Sequence, residues 1–241
     1  MPNPILNDQF CEKERVYDGQ PMTVNGTLQI TFFLAILLVA SAAFVWSRFT
    51  LGFTDLAVML TGAGLIAGFV VALIVSFTRN QYLVPVYAVL EGMFLGGVSA
   101  TFEASYPGIV SQAVVGTFAA LFSMLVLYRT NVLRCTDTFR KVVFIATLSI
   151  AGIYLVDFIG HFFHYAVPMM NTSSNIGIGF SLVVIVIAAL NLITDFYYIE
   201  SGAQAMLPKK YEWFGAFGLM VTMVWLYLEI LRLLQKFMDR R

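Results

Sequence analysis

The stretch NIGIGFSLVVIVIAALNLITDFYYIE, residues 175–200, runs from Asn175 to Thr194 without a charge, then carries a carboxylate at Asp195 and closes on a second at Glu200. At about 1.5 Å of rise per residue, twenty such residues cover about 30 Å of hydrocarbon. The stretch therefore reads as a membrane-crossing helix that takes an acid into the apolar layer. Working outward, six more stretches of the same kind lie at 26–47, 54–77, 82–104, 107–128, 141–166 and 212–236. The expectation is an all-α bundle of seven transmembrane helices.

Composition agrees. Hydrophobic residues make up 59% of the 241, charged residues 12% and aromatics 15%, with 22 Phe. A soluble domain is about 45–50% apolar and about 25% charged. Fourteen basic and fourteen acidic side chains leave no net charge, so there is no electrostatic footprint for nucleic acid. Two cysteines, Cys11 and Cys135, supply neither a disulfide framework nor a thiolate metal cage.

The breaks between spans have recognisable chemistry. Thr78-Arg79-Asn80-Gln81 is a short polar hairpin, Ser105-Tyr106-Pro107-Gly108 a tight turn, and residues 129–141 a basic connection. Residues 1–25 are polar and lack the apolar core of a signal peptide. The expected organisation is a polar N-terminal segment at 1–25, one membrane domain at 26–236 and a basic tail at 237–241.

Lysine and arginine counts set the orientation. Lys13, Arg15, Arg79, Arg129, Arg134, Arg140, Lys141, Lys209 and Lys210 fall on the side of the N-terminus, and in the opposite loops only Arg48 does. The N-terminus is expected in the cytoplasm. Arg232, Lys236, Arg240 and Arg241 pull the other way, so the last segment either crosses against that pull or returns the tail inside. The length of residues 213–234 favours crossing.

The acids singled out inside the spans are Asp55, Glu91, Asp157, Asp195 and Glu229. A charge at the bilayer centre costs at least about 2.5–3.5 kcal/mol, so each needs a partner, a proton or water. No basic residue lies near a span centre, so the acids are not expected to be matched by Lys or Arg. Helical rise puts Asp195 and Glu91 at one level in the inner half, and Asp157 and Glu229 at another in the outer half. Two carboxylates within hydrogen-bonding reach share a proton rather than both ionise, and such a ladder suits protons or a hard cation such as calcium. The alternative is that each acid is a protonated helix-to-helix hydrogen bond. Asp55, at the start of its span, reads as an interfacial charge.

Asp157, His161 and His164 share one helical face, a weak metal-ligand pattern set against plain interfacial histidines. Gly64-x-x-x-Gly68 and Gly92-x-x-x-Gly96 mark close helix packing, the second beside Glu91. Catalysis is disfavoured. The only histidines lie at the outer end of a span, Asp195 lacks the Gly-x-Gly-Asp of aspartyl intramembrane proteases, and the last span has no lysine before Lys236 to hold retinal.

Three segments carry a resemblance: Ala189-Leu-Asn-Leu-Ile-Thr-Asp195-Phe-Tyr-Tyr-Ile199, Trp225-Leu-Tyr-Leu-Glu229-Ile-Leu-Arg232-Leu-Leu234, and Tyr87-Ala-Val-Leu-Glu91-Gly92 with Leu95-Gly96. Together with the seven-span layout they resemble the Bax inhibitor family, in its bacterial branch. The resemblance implies a seven-helix bundle with a central last helix, pH-sensitive calcium leak, an association with suppression of cell death, and a sensor made of two aspartates on helices six and seven. Asp195 matches the sixth-helix member. For the seventh, two registers fit. Leu226-Tyr-Leu-Glu229 puts Glu229 there, whereas aligning on the ending at Arg232 puts Thr222 there, and the depth argument favours Thr222. In that register Asp195 needs Glu91 or a basic group such as Arg79 as its partner.

The resulting expectation is a non-enzymatic, pH-gated leak for calcium or another cation. Asp195, Glu91 and Glu229 act as sensor or gate, with Asp157, Thr222 and Arg79 along the pathway. No resident cofactor is expected beyond transient calcium. The setting is the lipid bilayer of a bacterial plasma membrane. The competing expectation is a non-transporting protein that regulates a membrane protease or a stress response through a membrane-protein partner.

Overall fold

The structure, a computed structural model, describes residues 20–162 and 174–240, except the side chains at 161 and 162. Among the described residues there are seven long helices: α1 (Val24–Thr50), α2 (Thr54–Thr78), α3 (Leu83–Ser105), α4 (Ile109–Arg129), α5 (Asp137–Phe162), α6 (Asn175–Gln204) and α7 (Tyr211–Met238). All seven are long and apolar enough to cross a membrane. This is the all-α polytopic bundle that the hydropathy predicts.

The ends differ from expectation where local chemistry sets them. Thr136 caps α5, accepting from Phe139 N through Oγ1 and from Arg140 N through its carbonyl, so that helix begins four residues before the apolar run at 141. Its predicted end at 163–166 lies outside the described residues. Helix α4 starts at Ile109 rather than 107, because Gly108 precedes it at φ 85°, a left-handed conformation that glycine adopts without strain.

Large apolar side chains such as Phe32, Phe69, Phe77, Val115 and Ile145 point outward, as lipid-facing positions should. Several hydroxyls within the helices are satisfied locally. Thr31, Thr61, Ser76, Thr117 and Ser149 each donate to the carbonyl four residues earlier, which removes the cost of an unpaired donor in hydrocarbon.

The chain divides into two compact units, to both of which α6 and α7 contribute. Of the described residues, the first comprises 20–107 with Tyr198–Met220, the second those of Gly108–Tyr197 with 221–240. In the first unit α3 packs on both α1 and α2, and its glycines allow it. A Cβ on Gly92 would collide with Ser41 and the Leu38 carbonyl, one on Gly96 with Ala42, and one on Gly97 with Thr61. Gly64 on α2 lies against the α3 backbone, where a Cβ would come 2.6 Å from Leu90 O. Helix α7 is the most buried of the seven; 67% of its central window is covered, against 11% for α1.

Candidate functional site

Helix α6 presents Asn191 and Asp195, one turn apart, to its own unit. Asn191 Nδ2 donates to Thr147 Oγ1 of α5 at 2.8 Å and to Ile187 O at 2.9 Å. The Thr222 hydroxyl on α7 bonds the Asp195 carboxylate, while Asp195 Oδ2 is sealed from solvent and has no hydrogen-bond partner among the described residues. Thr222 is thus the α7 side chain that meets Asp195. Glu229 sits about two turns further along α7.

Glu229 has partners of its own. It is 2% exposed, receives the Tyr154 hydroxyl at 2.6 Å on Oε1 and pairs with Arg232 Nη1 at 3.1 Å. Arg232 Nη1 also donates to Tyr154 Oη at 2.9 Å, which closes a triangle across α5 and α7. This corrects the expectation that the acids lack basic partners: at Glu229 an arginine lies at i+3. The partner from α5 is Tyr154, nearly one turn before Asp157, which is itself half-buried. Lys236, counted above as a terminal charge, is instead 4% exposed. It donates to Gly177 O at 3.1 Å and Ser181 Oγ at 2.9 Å. Glu229, Arg232 and Lys236 thus follow one another along a single face of α7, a spacing visible in the sequence and passed over there.

Glu91 belongs to the first unit, where Tyr87, one turn earlier on α3, hydrogen-bonds it. Gly68 of α2 lies opposite it, where a Cβ would be 3.4 Å from Glu91 Oε2, in ordinary contact. Arg79 closes α2 in a left-handed conformation, φ 53°, with its N–H on Val75 O. His164 and the side chain of His161 lie outside the described residues. Among the described residues no three His, Cys, Asp or Glu side chains converge as a metal cage.

One buried acid escaped the sequence reading. Glu212, in the first turn of α7, is 2% exposed, and its Oε1 accepts from Thr23 N at 2.9 Å and Thr23 Oγ1 at 3.0 Å. Thr23 is also the N-cap of α1, accepting from Gly26 N. The strap before α1 is held alongside, by Met22 N to Leu207 O at 2.7 Å and Lys209 N to Gln20 O at 3.1 Å. No local pattern announces a contact between residues so far apart.

No curated protein and no solved structure matches the chain. The family model described as Bax inhibitor 1 like matches residues 3–239, nearly the whole sequence and all seven helices, including the segments around Glu91, Asp195 and Glu229. The seven apolar helices and this match lead to one conclusion: the chain belongs to the Bax inhibitor 1 like family.

Proposed function

We propose that the protein is a pH-gated leak pathway for calcium or another cation, without catalytic activity or a resident cofactor, in a bacterial plasma membrane with its N-terminus in the cytoplasm. The observation that carries the reading is Asp195. Its carboxylate sits within a membrane span, engaged by the neutral hydroxyl of Thr222, with Oδ2 lacking a partner. A buried carboxylate oxygen without a donor is costly unless a proton or a cation meets it. Occupancy of that oxygen is then the switch: protonation closes the route, and ionisation lets a cation be passed on transiently. Thr222 holds the carboxylate in place, and its hydroxyl takes the role that a second aspartate has in the family resemblance.

In this reading Glu91, held by Tyr87, is a second protonatable group, and Arg79 and Asp157 border the pathway. Glu229 is assigned to holding α5 against α7 rather than to sensing, because Arg232 and Tyr154 already satisfy it. That same satisfaction favours a second reading, in which the acids are structural and the protein acts by contact with a membrane-protein partner, such as a protease or a stress-response component.

Purified protein in liposomes loaded with a calcium dye separates the two. The expected result is calcium flux that rises with pH and loses its pH dependence in Asp195→Asn, with Thr222→Val shifting the profile. Absence of flux at every pH, in protein whose folding is verified by its thermal transition, would favour the contact role.

A further inference from the structure

In the first unit, on the side where α1 and α7 begin, a cleft of about 900 Å3 opens. Gln20 and Gln29 line it from the strap and α1, Gln81 from the α2–α3 hairpin, Lys209 and Lys210 from the α6–α7 connection, and Trp213 from α7. The two ammonium groups are positioned. Lys209 Nζ lies 2.7 Å from Gln20 Oε1, and Lys210 Nζ lies 5.4 Å from the centre of the Tyr211 ring. Among the described lining residues the carboxylate is Glu212, which is buried and has its Oε1 taken by Thr23. The exposed ionic side chains among those described lining residues are Lys209 and Lys210.

Two fixed cations among carboxamide donors suit a compact oxyanion, because each phosphate oxygen accepts charge-assisted hydrogen bonds. The cleft lies where helices α1, α3 and α7 start, hence at one face of the membrane, where lysines are drawn to anionic headgroups. Trp213, edge-on to Phe33 at 6.4 Å, is the kind of amphipathic ring that settles at a headgroup boundary. We propose that this cleft binds a phosphate-bearing anion, presented by an anionic phospholipid of the adjoining leaflet. Lys209 and Lys210 supply the charge, and Gln20, Gln29 and Gln81 the hydrogen-bonding rim. The proposal is independent of any ion flux.

The test uses the full chain in an uncharged, phosphate-free detergent. Phosphatidylglycerol in mixed micelles is one ligand, read by native mass spectrometry, and inorganic phosphate is the other, read by calorimetry. The expected result is saturable phosphatidylglycerol binding, weakened roughly tenfold or more in K209Q/K210Q and unchanged in K141Q, an exposed lysine outside the cleft. Both lysines of the pair are exposed, so the variant keeps its fold, which its thermal transition verifies. Phosphate binding with the same lysine dependence and no preference for the lipid would keep the anion site and overturn the lipid as its source. Equal lipid binding by wild type and K209Q/K210Q, or an equal loss in K141Q, would overturn the site.

Discussion

Cys135 lies between α4 and α5, half-buried, with Arg140 and Thr194 as neighbours. Burial pushes its thiol from 9.0 up to about 11, and the Arg140 guanidinium offsets only part of that rise. Arg140 is itself committed, ion-paired with Asp137 and 4.7 Å above the Tyr197 ring. Since the raised value keeps the thiol protonated through neutral pH, its thiolate fraction there is about a hundredfold below that of an ordinary cysteine. Alkylation by iodoacetamide, followed by mass spectrometry in a Cys11→Ser background, should be slow at pH 7.5 and should climb towards pH 11. A midpoint near 9 would contradict the burial. At the same scale, the Glu229–Arg232 pair was legible from its i, i+3 spacing, and Thr222 through the family resemblance, whose register ending at Arg232 helical rise favoured. The Tyr154 hydroxyl was not, because a tyrosine in a span has no periodicity that says which neighbour it reaches.

Among the helices, glycine has opposite meanings at positions that look alike in sequence. Gly92 and Gly96 let α1 approach α3 until a Cβ has no room, whereas a Cβ on Gly62 of α2 would meet nothing within 4 Å. Gly96→Val should therefore destabilise by about 3 kcal/mol or more, through overpacking against Ala42. Gly62→Ala should stabilise by about 0.5–1 kcal/mol, since alanine loses less entropy in a helix. Thermal unfolding in detergent, monitored by circular dichroism, checks both signs. The spacing announced close packing at Gly64, Gly92 and Gly96, but not at Gly68, where a Cβ would make ordinary contacts, and it did not say which helix each would meet. The spans themselves were legible because hydrocarbon thickness dictates their length. Their ends were less so, because a single cap such as Thr136 outweighs the hydropathy around it.

For the molecule as a whole, seven crossings would put the start of α1 and the end of α7 on opposite sides of the bilayer. Lys236, one of the charges that oppose this arrangement, is packed against α6. Single cysteines placed at Asn80 and at Asp239, in a cysteine-free background, should react with a membrane-impermeant maleimide from opposite faces of sealed vesicles. Labelling of both from one face would mean that α7 does not cross.

The clasp between Thr23 and Glu212 has a bearing on biogenesis. The donors that open the first helix find their acceptor only at the start of the last one, after five further helices have been synthesised and inserted. Until then a nascent chain carries an incomplete entrance to its first crossing, with Gly26 facing an empty space that the Glu212 carboxylate will later fill. A ribosome stalled before α7 should thus hold a half-assembled substrate for insertases and quality-control proteases, and closure of the first unit would wait for the synthesis of α7.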